Sequence, residues 1–265
     1  MRSSELYGGI FSRHAAAYRE RHRQIRSEGR QRALELLAVR PGERVLDLAC
    51  GPGNLSRRLS AVGGRVVGVD VAEGMLALAH ADVPEAVFAR MDLGRLGLAA
   101  RTFDAALCGH GLQFLADLAG TLREARRILR PGGRLAASVP VQRRGEAIDE
   151  LIGPLSARWL NPPPRPVDAG DRRLVEEPAA LRGQALEAGF REALVEQVAT
   201  AAEWSSPAAY VSLSTSWWDV AARMEGLPAH RVRGYEEELR AALESRFGAG
   251  AFQTSGLDNV LYALC

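Results

Sequence analysis

Between residues 41 and 140, short apolar runs alternate with helical patterns, and this alternation constrains the fold more than any other feature of the chain. Val45-Leu46-Asp47-Leu48-Ala49 reads as a strand. It runs into Cys50-Gly51-Pro52-Gly53, and a helix over 54–61 follows. Further strands are predicted at 66–70, 86–90 and 103–108, with helices around 73–80 and 118–129. Arg130-Pro131-Gly132-Gly133 reads as a turn into a fifth strand at 134–139. Strands this short and this apolar are buried on both faces. Strands separated by helices need crossover connections, so the pattern specifies a parallel sheet covered by helices on both sides.

The flanks complete this picture as one domain over 1–265. Residues 1–40 read as helical, with Arg and Glu crowding 19–40 and Pro41-Gly42 as the stop signal. They form an expected N-terminal helical lid on a core at 41–140. Proline-rich residues 141–177 and helical residues 204–250 are expected cap inserts after strand five and strand six. Residues 178–203 and 251–265 would complete a seven-stranded, mostly parallel sheet. Within them, Pro178 opens a helix that Gly189 ends, and strands lie at 190–199 and 257–264. Gly226 and Gly234 are predicted breaks in the second insert.

Composition narrows the class of function. Hydrophobic residues make up 47% and charged residues 25%, which excludes a disordered chain. The net charge is only +2 and every basic residue is Arg, so no excess favours a nucleic-acid partner. Cys50, Cys108 and Cys265 are odd in number and form no C-x-x-C pair, which fits a reducing compartment. No apolar run has the length of a membrane span, and the first residues lack an apolar signal region. The expectation is a cytoplasmic protein with a small-molecule partner, no nucleic acid and no membrane; homodimerisation is left open.

The chemistry concentrates at the strand tips. The turn at Cys50-Gly51-Pro52-Gly53 delivers free backbone N–H groups at a helix N-terminus, a device shared by many nucleotide-binding folds. Asp47 lies within the first strand, where a carboxylate suits an ammonium better than a pyrophosphate. Asp70 ends the second strand and can accept from ribose hydroxyls; Asp92 follows the third and can accept from an adenine amino group. Ribose, adenine and an amino-acid ammonium together describe S-adenosylmethionine.

These stretches resemble the class I S-adenosylmethionine-dependent methyltransferases, in particular the small-molecule branch of ubiquinone- and menaquinone-biosynthesis type. The matching residues are Val45–Gly53, Val67-Gly68-Val69-Asp70-Val71-Ala72-Glu73-Gly74-Met75-Leu76, Met91-Asp92-Leu93, Phe103-Asp104-Ala105-Ala106-Leu107-Cys108 with Leu112-Gln113-Phe114, and Arg127-Ile128-Leu129-Arg130-Pro131-Gly132-Gly133-Arg134-Leu135. The resemblance implies a Rossmann-like fold and S-adenosyl-L-methionine as cofactor, with S-adenosyl-L-homocysteine as product. It implies that Asp47 with Ala49, Cys50, Gly51 and Gly53 holds the methionine moiety, that Asp70 binds the ribose, and that Val71 and Met75 pack on the adenine. Asp92 and Leu93 would bind the adenine edge. Cys108 and Gln113 would lie near the methionyl end, and Tyr18 would close over the cofactor from the lid. Ala49 stands where many members carry glycine.

His110, two residues beyond strand four, is the best-placed candidate base, and His14 in the lid is a second candidate. All tryptophans lie beyond strand five, where Trp217-Trp218 would wall a pocket for an apolar or aromatic acceptor. Asp258-Asn259 lacks partner carboxylates at metal-ligand spacing, so no metal is expected. The expected reaction is methyl transfer to a small acceptor, as in secondary-metabolite tailoring. Two alternatives stand: the same cofactor fold repurposed for a non-methylating cyclisation or rearrangement, and a nicotinamide-dependent oxidoreductase.

Overall fold

A computed structural model describes residues 1–24, 27–141 and 147–265. Its strands are β1 (Arg44–Leu48), β2 (Arg65–Asp70), β3 (Val87–Arg90), β4 (Phe103–Gly109), β5 (Leu129–Val141), β6 (Glu192–Trp204) and β7 (Phe252–Leu264). They form a seven-stranded sheet in the order β3-β2-β1-β4-β5-β7-β6. The first five pair in parallel, and β7 inserts antiparallel between β5 and β6.

The helices are α1 (Ser3–Arg13), α2 (Ala15–Gln24), α3 (Glu28–Leu37), α4 (Asn54–Ala61), α5 (Glu73–Asp82), α6 (Leu118–Ile128), α7 (Ala147–Trp159), α8 (Arg173–Glu176), α9 (Pro178–Glu187), α10 (Pro207–Ser214), α11 (Trp218–Met224) and α12 (Ala229–Phe247). None of them, among the described residues, is long and apolar enough to cross a membrane.

Strand alternation sorts the core into two layers. In β1, Val45 packs on one face with Leu37 of α3, Leu59 of α4 and Ala79 of α5. Leu46 and Leu48 face the other side with Leu122 and Ile128 of α6 and Leu181 of α9. Each buried Leu or Val side chain contributes roughly 1.5–3 kcal/mol of transfer free energy. This two-sided burial is the reason the central strands read as unbroken apolar runs.

Several boundaries differ from the sequence expectations, each for a local reason. The helix expected over 1–40 is divided into α1, α2 and α3, and Ala38 in the left-handed region (φ 45) ends α3 before Pro41. Residues 25 and 26 of that expected helix, and 142–146 of the first insert, lie outside the described residues. The Arg130-Pro131-Gly132-Gly133 turn sits inside β5 as an irregularity, opposite a register shift between Phe103 and Ala105. β6 and β7 run past the sheet as a ribbon, pairing Trp204 with Phe252. There the ribbon meets α7, α10, α11 and α12 in a separate apolar cluster that includes Tyr210, Tyr235 and Leu239.

Gly234 does not break the helix; it lies within α12. A Cβ there would stand 2.5 Å from the Trp159 ring, whose indole N–H is anchored on Glu238 at 2.5 Å. Glycine is therefore needed for close packing, not for a turn. Gly234→Val is expected to lower stability by roughly 1–3 kcal/mol. Gly183→Ala in α9, with nothing within 4 Å of the added Cβ, is expected to raise it by roughly 0.5–1 kcal/mol. Denaturant unfolding of both variants checks the contrast.

Candidate functional site

A cavity of about 480 Å³ lies at the carboxyl ends of the parallel strands, under α1 and α2. The turn after β1 forms part of its floor. Ala49 (φ 52) and Gly51 (φ 54) are both left-handed and both line the cavity. The left-handed backbone at Ala49 explains why glycine suits this position. Gly53 (φ 83) caps α4 from below and packs toward Ala79 and Val83, away from the cavity.

Asp70 lines the cavity from the tip of β2. Its Oδ2 accepts from the Gly51 N–H and its Oδ1 from the Ala72 N–H, both at 2.8 Å. Burial raises its carboxyl above the usual range, and these N–H groups counter the rise. Val71 and Met75 form the adjacent apolar wall, with Tyr18 of α2 above them and Asp92 and Leu93 beyond. The Asp92 Oδ1 is 2.9 Å from the Gly94 N–H, which donates to it.

Glycines bring α1 onto this wall. A Cβ at Gly8 would meet the Val71 carbonyl oxygen at 3.3 Å, and one at Gly74 would meet the Ser12 carbonyl oxygen at 2.4 Å. On its far side α1 is tied to the end of α11. Arg13 Nε and His14 Nε2 each lie 2.9 Å from Glu225 Oε1. His14 is thus engaged outside the cavity, and its expected place as a second base is corrected: the helix turns it toward Glu225.

Asp47 also needs correction. Alternation along β1 puts it on the face of Val45, beneath α4, where Ser56 donates to its Oδ2 at 2.6 Å. It is fully buried and does not line the cavity; its Oδ1 has no hydrogen-bond partner. Burial pushes its carboxyl up to about 7, with the Ser56 hydrogen bond opposing and the nearby Asp70 adding to the rise. Cys50 and Cys108 are buried behind the cavity as well. Burial raises both thiols, Cys108 to about 12, so neither is a reactive thiolate. Gln113 donates to the His110 carbonyl oxygen at 2.8 Å and lines a smaller neighbouring cleft.

His110 lines the cavity beside Gly109 and Gly111. It has φ 62, and its N–H donates to the Ser138 carbonyl oxygen at 2.9 Å. A non-glycine residue in this region stores roughly 1 kcal/mol or more of strain. A Cβ at Gly111 would sit 2.7 Å from the Ala49 Cβ, so the two cavity turns interlock there.

The aromatic residues that line the cavity are not the Trp217-Trp218 pair expected from the sequence. Tyr7 and Phe11 of α1 and Phe114 of the short 3-10 turn at Leu112–Phe114 line the cavity. Their ring centroids lie 4.9 Å (Tyr7–Phe114) and 5.3 Å (Phe11–Phe114) apart. The available signal was the four-residue spacing of Ser3, Tyr7 and Phe11, which places them on one helix face. Trp218 backs this wall at 5.3 Å from Phe114, whereas Trp217 packs against Tyr210 in the distal cluster. At the polar margin, Ser3 donates from its N–H and its Oγ to Asp168 Oδ1, each at 2.7 Å.

Residues 46–137 match the family model described as a methyltransferase domain. The chain is 40% identical over 109 residues to the demethylmenaquinone methyltransferase of Beutenbergia cavernae, covering 41% of this chain and 45% of that protein. It is 34% identical over 142 residues to the 2-phytyl-1,4-naphtoquinone methyltransferase of Thermosynechococcus vestitus, covering 51% and 63%. The chain spans about half the length of the curated relatives it matches. In fold it is similar to the YcgJ protein of Bacillus subtilis, with a TM-score of 0.58 at 16% identity over 89% of this chain and 97% of that one. The glycine turn, the acidic strand tips and the strand order that surround the cavity fall within the matched segment or adjoin it. Over residues 46–137 this chain matches the methyltransferase domain, and there it is similar to the quinone methyltransferases named above.

Proposed function

We propose that the chain transfers the methyl group of S-adenosylmethionine to a small, planar, partly apolar acceptor bearing a phenol or hydroquinone hydroxyl. One observation carries this reading. A single cavity joins the acidic strand tips, Asp70 and Asp92, to the wall of Tyr7, Phe11 and Phe114, with the His110 imidazole on its lining. The donor set fits the cofactor: carboxylates for hydroxyl and amino donors, an apolar wall of Val71 and Met75 for a purine to pack on, and left-handed turns in the floor. The quinone-type acceptors named for the two relatives support an aromatic acceptor.

In this reading Asp70 accepts from the ribose hydroxyls, and Asp92 and Leu93 hold the adenine edge. Ala49 and Gly51 pass along the methionine moiety. When bound, the cofactor supplies an already activated methyl group, so the protein's work is alignment and deprotonation. The aromatic wall orients the acceptor ring, His110 takes the hydroxyl proton, and α1 and α2 exclude water. Tailoring of a small natural product is the role that suits such a pocket.

The test is incubation of the purified chain with methyl-labelled S-adenosylmethionine and a panel of naphthols and reduced naphthoquinones. Label in an extracted product, together with a rise in melting temperature on adding S-adenosylhomocysteine, is the expected result. Stabilisation without label transfer would favour the non-methylating alternative. No stabilisation by either nucleoside would end the reading. Phe114→Ala is expected to raise the KM for the acceptor by about tenfold, the scale of one aromatic contact. It should leave the Kd of S-adenosylhomocysteine, measured by calorimetry, within about twofold.

A further inference from the structure

We infer that Asp258, on the strand farthest in sequence from the cofactor motifs, is the positioning residue that makes His110 a base. This rests on the methyl-transfer reading above and adds to it a residue and a preferred acceptor chemistry. Asp258 Oδ2 lies 2.8 Å from His110 Nε2. The carboxylate is buried, with 3% of its surface exposed, and stands in register between Pro140 of β5 and Val198 of β6. A carboxylate in such a place is costly unless paired. It is hydrogen-bonded to the imidazole and, at 3.4 Å, to the Ser27 hydroxyl.

The surroundings are shaped to this contact. A Cβ at Gly29 of α3 would stand 2.0 Å from Asp258 Oδ2, so the glycine clears the space the carboxylate occupies. His110 accepts a left-handed backbone to reach it (φ 62). The next residue, Asn259, points to the opposite face of β7 and is used differently: its Nδ2 donates to the carbonyl oxygens of Val175 and Glu176. The Asp-Asn pair therefore divides between a site residue and a packing residue.

A hydrogen bond from Nε2–H to the carboxylate selects one tautomer and leaves Nδ1 as the basic nitrogen. The acceptor's O–H proton then moves to Nδ1 as an oxygen lone pair forms the C–O bond to the methyl carbon. The carbon–sulfur bond breaks with its electron pair staying on sulfur. The Asp258 carboxylate balances the imidazolium that forms. Such a base is needed by a weakly acidic phenol and not by one already ionised.

Two measurements test this on the full chain. In the first, long-range ¹H–¹⁵N spectra of the histidine rings, with H110Q for assignment, should show the Nε2–H tautomer in the wild type and its loss in D258N. An Nδ1–H tautomer in the wild type, or a spectrum unchanged in D258N, overturns the proposal. In the second, D258N should lower kcat about 100-fold, within the usual range for a general base, for 1-naphthol. The loss should be under threefold for 2-hydroxy-1,4-naphthoquinone, which is ionised at the assay pH, with the Kd of S-adenosylhomocysteine within twofold. Equal losses on both acceptors overturn it. If neither is methylated, the ring spectra decide alone. If the wild type does not bind S-adenosylhomocysteine, the methyl-transfer reading fails while the ring spectra still judge the pair.

Discussion

Asp70→Ala is expected to weaken S-adenosylhomocysteine binding by roughly 10²–10⁴-fold, the loss of two hydrogen bonds to a charged acceptor at about 1.5–3 kcal/mol each. The position of Asp70 gives it a double task. Its carboxylate faces the cavity while holding the N–H groups of Gly51 and Ala72 at 2.8 Å. Alanine removes the acceptor for the ligand and also leaves those two N–H groups without a partner, loosening the turn that forms the floor. Asp70→Asn keeps one acceptor oxygen and should retain more affinity than the alanine variant. Calorimetry on the three proteins reads the series; an alanine variant with wild-type affinity would remove Asp70 from the site.

The second large effect concerns stability. Asp47 is fully buried, and its carboxyl is pushed up to about 7 by loss of solvation, against about 3.9 in an unfolded chain. Between those values the unfolded chain releases the proton and the folded chain keeps it. The folded state then binds more protons than the unfolded one, so stability falls as pH rises from about 4 to about 7 and is fully reduced above that. The size is on the order of 4 kcal/mol, three units at 1.36 kcal/mol each. Asp47→Asn preserves the acceptor for Ser56 and has no charge to bury. Relative to the wild type, the variant is therefore expected to gain several kcal/mol between pH 3 and pH 8, about 1 kcal/mol of it by pH 4.5, in denaturant unfolding without ligand. Equal differences at pH 3 and pH 8 would contradict the burial argument.

The central sheet was legible because its signal is local. A strand buried on both faces must be apolar throughout, and each crossover helix carries its own start and stop residues, so β1 to β5 and α4 to α6 could be placed within a few residues. The cavity floor was legible for the same reason, since Ala49, Gly51, Asp70 and Asp92 follow their strands directly. Asp47 was harder: it lies in the same motif, yet strand alternation turns it beneath α4 toward Ser56. Gly234 was misjudged because helix propensity is a local quantity, whereas the need for glycine there comes from Trp159 on another helix.

By itself the sequence determined the order of strands and helices, the glycine turn, and the acidic tips of β2 and β3, because each depends on neighbours within a few residues along the chain. Only the tertiary structure decided that Tyr7 and Phe11 meet Phe114, that His14 turns outward to Glu225, and that His110 meets Asp258 across 148 positions. Those pairings arise when β7 enters antiparallel beside β5 and α1 settles over the strand tips. No periodicity records such events, because they depend on which faces the packed elements present to one another.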